Sequence, residues 1–295
     1  MADDPWQEAR AALQAAVKGD FPGAAVAAVV RGEVVFMEAT GLVQVGEKQA
    51  VDTSTLFMVA SISKTLVAMA ALQAAEKGEV SLDEDICARL PGDCPVRNPN
   101  FPEEPITLRH LLTHTSGLRD DEAALQGGRY HTQGGDCKVT LHQYVQERLL
   151  GAAGDPLWAT EPPGAASYHY SNAGFSLAGL VLESATQRSL EQLCRERIFA
   201  PLGMDEAAWS LADALGAGPV AVPHFAARLP MGYYGVAEYP AAQLRASIGD
   251  LGRYLCALTA PSSPILTPAS KRELLPSSFR AGLAWWGEDA TYGVR

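Results

Sequence analysis

Two pairs of residues in this chain have types and spacing suited to chemistry. Ser61 and Lys64 stand three apart in "VASISKTLVAMAALQAAEKG", and Tyr170 and Asn172 stand two apart in "YHYSNAGFSLAGLVLE". A serine hydroxyl is a poor nucleophile until a base takes its proton. A lysine can be that base only where burial or nearby positive charge lowers its pKa. On a helix, positions i and i+3 fall within roughly 60° of each other, so Ser61 and Lys64 share a face. The positive end of the helix dipole also favours the neutral amine. A backbone N–H at the same helix start can bind a developing oxyanion. The blander reading makes Ser61 an N-cap and Lys64 a solvated surface residue. Against it, the following run "TLVAMAALQAA" is apolar on every side, so a lysine in its first turn is expected to be partly buried. Ser63 adjoins Lys64 and is expected to point away.

Tyr170 and Asn172 would face the same side of an extended segment. A phenol can relay a proton if a neighbouring ammonium favours its phenolate. An asparagine amide can hold a lysine and donate to a substrate carbonyl. The structural alternatives are a core tyrosine and an N-cap for the helix beginning "AGFSLAGL"; capping and catalysis are compatible.

The elements that must position these residues are readable from periodicity. Glu8 to Lys18 reads as a helix stopped by Gly19. "FPGAAVAAVVRGEVVFMEATG" reads as an antiparallel hairpin joined at Arg31-Gly32-Glu33. A long helix is expected between Leu56 and Gly78. "ITLRHLLTHTSGL" reads as a short helix closed by a turn, and Asp120 to Lys138 as a long polar surface loop. Two helices separated near Thr186–Ser189 follow, then "SIGDLGRYLCALT" as another, and "AGLAWWG" as a strand. Strands at the chain ends with helices between them indicate an α+β unit with a helical insertion.

The chain has 295 residues, 47% apolar and 19% charged, an ordinary globular composition. The net charge is −11, and no Lys/Arg cluster occurs, which disfavours nucleic-acid and anionic-membrane partners. No apolar run reaches the length of a membrane span. "MADDPWQEAR" carries two early acids and no apolar core segment, unlike a secretory signal, so a cytoplasmic protein is expected. The five cysteines (Cys87, Cys94, Cys137, Cys194, Cys256) include no C-x-x-C pair. Cys87 and Cys94 are close enough in sequence to bridge, but free thiols are expected. His110 and His114 have the spacing of a zinc-protease helix, yet Leu111 stands where the general-base glutamate belongs, so no metal role is read. No dinucleotide motif is present. Trp285 and Trp286 read as packing residues and Asp250 as a helix-start residue.

Several ordered segments resemble the serine beta-lactamase-related family, which includes class C beta-lactamases, D-alanyl-D-alanine carboxypeptidases, D-aminopeptidases and class C-like esterases. These are "FMVASISKTLVAMAALQAAEKGEVSLDEDI", "ITLRHLLTHTSGL", "YSNAGFSLAGLVLESATQRSLEQLCRERIFAPLGM" and "AAQLRASIGDLGRYLCAL". The resemblance implies a beta-lactamase/transpeptidase-like fold in one domain over 1–295, with 1–55 and 240–295 forming the α/β part and 56–239 the mainly helical part. It implies Ser61 as the acylated nucleophile, with its backbone N–H in the oxyanion hole, and Lys64 as the base. Tyr170 would be the relay to the leaving group, and Asn172 the residue fixing the lysine and the substrate. It implies a small-molecule or peptide substrate and no cofactor.

The family's third motif, Lys-Thr-Gly or His-x-Gly on a strand after a "GLGW"-like segment, would supply the other half of the oxyanion hole. "AGLAWW" resembles that segment, but no such motif occurs after Tyr170, and His224 is followed by Phe225-Ala226. The closing strands of the family are likewise unmatched. The sequence is therefore expected to be a fragment, ahead of a site completed by another chain or a non-catalytic binding or scaffold protein. The hairpin is expected to leave an open sheet edge capable of self-association.

Overall fold

A computed structural model describes residues 4–19, 21–120, 128–152, 155–165, 167–225, 229–275 and 282–285. Helix α1 (Gln7–Gly19) leads into strands β1 (Gly23–Val30) and β2 (Glu33–Gly41), paired antiparallel from Gly23↔Gly41 to Val30↔Glu33. Their two-residue loop puts Arg31 at φ 52° and Gly32 at φ 88°, the double left-handed geometry that matches the twist of a tight hairpin. Gly32 is required twice over, by its left-handed φ and because an added Cβ would lie 2.7 Å from that of Ala260; its N–H donates to Thr259 Oγ1. The hairpin register slips between Ala28 and Val29, which leaves Val35 as the bulged residue. Helices α1 and α10 (Ile248–Thr259) pack on this hairpin. Among the described residues it pairs with no further strand.

The expected long helix begins later than its sequence pattern indicates. Leu56–Met58 is a strand, β3, paired antiparallel with β8 (Arg245–Ser247). A 3-10 turn, Ala60–Ile62, then leads into α2 (Ser63–Glu76). Leu-Phe-Met suits helix and strand equally; the partner strand, remote in sequence, decides. Every residue of α2 from Ser63 to Ala74 is buried, as expected for a helix apolar around its circumference. It ends at Gly78, φ 70°, a left-handed stop natural to glycine.

Around α2 lie α3 (Leu108–Leu112), α4 (Leu141–Arg148), α5 (Asn172–Thr186), α6 (Leu190–Cys194), a π-helical turn at Arg195–Phe199, and α7 (Ala200–Leu202). Helices α8 (Leu211–Ala217), α9 (Tyr239–Ala242) and α11 (Pro268–Leu274) complete the described helices. One apolar cluster runs from Leu66 on α2 through these elements other than α8 to Leu283 and Ala284, while Ala214 of α8 packs with Leu56, Ala208 and Val220 in a second, smaller one. Part of the expected surface loop is ordered strand: β4 (His131–Gln133) pairs with β7 (Tyr234–Val236). A second minor hairpin joins β5 (His224–Phe225) to β6 (Leu229–Pro230).

Residues 282–285 are not the expected strand. Gly282 N–H reaches back to Trp285 O, Ala284 sits at φ 59°, and Ala284 N–H bonds Leu112 O. These contacts bend the segment onto α3. Trp285 packs on the core as expected, whereas Trp286 lies outside the described residues. All five cysteines are free thiols. Among the described residues no helix is long and apolar enough to cross a membrane.

The junction between strand and helix that presents Ser61 is braced by Ser63. Its Oγ donates to Ala60 O at 2.6 Å and accepts from Leu244 N–H at 3.0 Å, while Val59 N–H donates to Leu244 O at 2.9 Å. Ser63→Ala leaves the buried Leu244 N–H without its acceptor, a loss of about 1–3 kcal/mol. Urea unfolding is expected to show a lower midpoint at unchanged slope. A midpoint equal to wild type would mean that Ser63 braces nothing.

Candidate active site

Ser61 sits in the 3-10 turn just before α2, exposed to solvent. The residue before it, Ala60, is held at φ 46°, a conformation that costs a non-glycine residue energy. Strand β3, the Ser63 brace and Leu244 over-determine this turn. One helical turn on, Lys64 lies almost wholly buried, 1% exposed. Its Nζ is 3.1 Å from Ser61 Oγ, 2.6 Å from Asn172 Oδ1 and 2.9 Å from Ala241 O. Tyr170 completes the group, its hydroxyl 2.5 Å from Ser61 Oγ. The four residues singled out by spacing thus meet within hydrogen-bond distance, although they come from segments more than a hundred positions apart.

Burial pushes the Lys64 ammonium down from its usual 10.5 to about 8, against the opposing charges of Asp120 and Glu238. As a neutral amine, Lys64 keeps two N–H groups and one lone pair. Asn172 Oδ1 and Ala241 O can hold both hydrogens, which directs the lone pair at Ser61 Oγ. The arrangement can therefore take the serine proton without moving a heavy atom. Tyr170 differs from the sequence expectation. Burial raises its pKa, the Ser61 hydrogen bond only partly offsets this, and Asp120 adds to the rise. Its phenolate is disfavoured, although Lys64 Nζ stands 4.8 Å from the ring centroid. The neutral phenol can still accept from one partner and donate to another.

Asn172 is not the N-cap. Ser171 caps α5, its Oγ accepting from Gly174 N–H at 2.9 Å. Asn172 is the first helical residue, its N–H bound to Asp120 Oδ1 at 2.6 Å, so its amide is released to hold Lys64. Ser63 points away from the site, as expected, and is consumed by its brace.

Sequence reasoning missed three contributors. The spacing of His110 and His114 is that of two residues on one helix face. Instead α3 ends at Leu112, and His114, at φ 58°, accepts Ser171 N–H on Nδ1 at 3.0 Å. Its ring packs on Tyr170 and Phe175, centroids 4.6 and 5.1 Å away. Burial, then the Lys64 charge, drives its pKa to about 3, so it is a neutral wedge that fixes the Tyr170–Asn172 turn. Its only sequence signal is a histidine after a capped helix. Asp120 had a signal only as the first residue of the expected surface loop. The Ala241 carbonyl had none, since any residue supplies a backbone oxygen.

The short helix α9 that carries Ala241 depends on Gly179 of α5, where a Cβ would lie 2.8 Å from Pro240 Cγ. The Pro240 ring therefore packs too closely on Gly179 for any side chain there. Other residues set aside by sequence have structural roles. Asp250 forms a capping box with Ser247, and His224 is held by Val222 O and Val45 N–H.

The description "Beta-lactamase" fits a family model matching residues 9–293. Penicillin-binding protein 4* of Bacillus subtilis is 30% identical over 64% of this chain and 38% of its own length. Esterase EstB of Burkholderia gladioli is 34% identical over 64% of this chain and 47% of its own. This chain therefore spans less than half the length of either relative. In three dimensions, the octameric penicillin-binding protein homologue from Pyrococcus abyssi matches 94% of this chain and 60% of its own, with a TM-score of 0.76 at 23% identity.

Burial of Lys64 has a measurable thermodynamic signature. The folded state holds this proton less tightly than the unfolded chain does. The penalty for burying the ammonium is fully present below about pH 8 and fades as pH rises towards 10.5. Relative to Lys64→Met, wild type should gain on the order of 3 kcal/mol between pH 7 and 10.5. Urea melts of both proteins across that window check this; a constant difference would mean that Lys64 is not depressed.

Proposed function

The chain belongs to the Beta-lactamase family, and on that premise we propose that it is a serine hydrolase working by acyl transfer to Ser61. The observation that carries this reading is the contact of Ser61 Oγ with both Lys64 Nζ and Tyr170 OH, at 3.1 and 2.5 Å. Neutral Lys64 takes the Ser61 proton as Oγ attacks the carbonyl carbon of an amide, lactam or ester. The tetrahedral oxyanion forms beside the Ser61 backbone N–H, one donor of the kind that stabilises such charge. As the intermediate collapses, the proton on Lys64 passes by way of Tyr170 to the departing amine or alcohol. Water then attacks the acyl-serine, giving its proton back along the same groups, and free Ser61 and a carboxylic acid result. Asn172 keeps the lysine aimed and offers its amide N–H to the substrate carbonyl or side chain.

Ionisation of Lys64 sets the pH dependence of this route. Only the neutral amine is a base, so the rate of acylation should rise through about pH 8 and level above it. A profile already flat by pH 6 would exclude Lys64 as the titrating base.

Covalent labelling identifies the nucleophile. Intact-mass measurement after a fluorophosphonate and, in parallel, a penicillin is expected to show one adduct on wild type and none on Ser61→Ala. Ser61 faces solvent, so its loss should leave the thermal unfolding transition nearly unchanged. Lys64→Arg should be nearly as damaging as Lys64→Ala, because arginine keeps the charge but does not surrender a proton near neutrality. An adduct mapped to Ser63 or Ser171, or an arginine variant within about tenfold of wild type, would overturn these assignments.

A further inference from the structure

Away from the active site, three different ligand chemistries meet at one point. Residues 91–94 close a turn, Cys94 N–H donating to Pro91 O at 2.8 Å, so that Asp93 and Cys94 present consecutive side chains. Opposite lies α4, where His142 and Gln146 stand one turn apart on one face. His142 Nε2 is 3.0 Å from Asp93 Oδ1, and Gln146 Nε2 donates to Asp93 Oδ2 at 2.7 Å. The ligand atoms of Asp93, Cys94 and His142 all lie within 4.8 Å of one another. We propose that these three residues bind a zinc ion.

The distances are close to those zinc requires. With bonds of about 2.0–2.2 Å to nitrogen and oxygen and about 2.3 Å to sulfur, tetrahedral geometry separates ligand N and O by about 3.3 Å and sulfur from either by about 3.5 Å. The Asp93–His142 pair is already near that spacing. The sulfur needs an approach of at most about 1.3 Å, within the reach of side-chain rotation. Gln146 occupies the far carboxylate oxygen and keeps Oδ1 turned to His142, the outer-shell support that metal ligands use. Thiolate, imidazole and one carboxylate together select zinc over magnesium or calcium, which take oxygen ligands. Water fills the fourth position.

Binding forms Sγ–Zn, Nε2–Zn and Oδ1–Zn bonds, and the Cys94 thiol gives its proton to solvent. Burial and the neighbouring Asp93 charge push that thiol up to about 11, so without the ion it is a neutral core side chain. The bound ion would tie the 91–96 loop to the start of α4. The competing reading is a surface ion pair lying over a buried cysteine.

Cobalt(II) serves as the optical probe for the full-length protein stripped of metal by chelator. Wild type is expected to take up one cobalt with a near-ultraviolet thiolate-to-metal charge-transfer band, and stoichiometric zinc should abolish the band by displacing it. Cys94→Ala should lose the band. His142→Ala, at a partly exposed position that cannot unfold the core, should weaken zinc binding at least about tenfold and lose the rise in Tm that zinc gives wild type. Absence of the band in wild type, or zinc affinity unchanged in His142→Ala, would overturn the site.

Discussion

A lysine ammonium withdrawn from water is the constraint around which this molecule is arranged. Removing such a charge from solvent costs several kcal/mol unless partners replace the lost hydration. Lys64 receives three of them, from Ser61, Asn172 and Ala241. Each comes from a different element: the 3-10 turn, the first residue of α5 and the short helix α9. Two rings, Tyr170 and Phe175, offer their faces at 4.8 and 5.7 Å from Nζ. Asp120 and Glu238 temper the depression of its pKa through their charge. The balance leaves an amine that is a usable base near neutral pH.

Much of the surrounding structure answers to that requirement. Helix α2 must be apolar on all sides because α5, α9 and α11 cover it, and Gly179 must be small because α9 would otherwise stand too far off to lend its carbonyl. His114 must be neutral because a second cation beside Lys64 would oppose the first. Its low pKa and its acceptance of the Ser171 N–H satisfy that condition together. Ser61, by contrast, stays in solvent on a strained turn, where a substrate can reach it. Burial of the amine and exposure of the hydroxyl are separated by one turn of helix.

The relatives include a penicillin-binding protein and an esterase. A site that activates a serine and returns a proton to whatever departs is compatible with that range, since neither step depends on whether nitrogen or oxygen leaves. The N-terminal hairpin is packed on α1 and α10 and joined by no third strand among the described residues. Its free strand edge is the kind of surface that another strand can extend.

The sequence by itself determined whatever depends on near neighbours along the chain. The i, i+3 spacing of Ser61 and Lys64, the unbroken apolar run of α2 and the turn at Arg31–Gly32 are local, and each has one favoured geometry. The ordered resemblance of several segments carried the fold and linked Tyr170 and Asn172 to Ser61 and Lys64. The tertiary structure decided what local pattern leaves open. Leu56–Met58 became a strand because Arg245–Ser247 offers it a ladder, and residues 282–285 bent away from strand because Ala284 bonds Leu112. Ser171, not Asn172, took the cap. Tyr170 stayed a neutral phenol because burial outweighs its hydrogen bond to Ser61. The Ala241 carbonyl could not be foreseen at all, for a backbone oxygen carries no residue code, and only the packing of α9 on Gly179 aims it at Lys64.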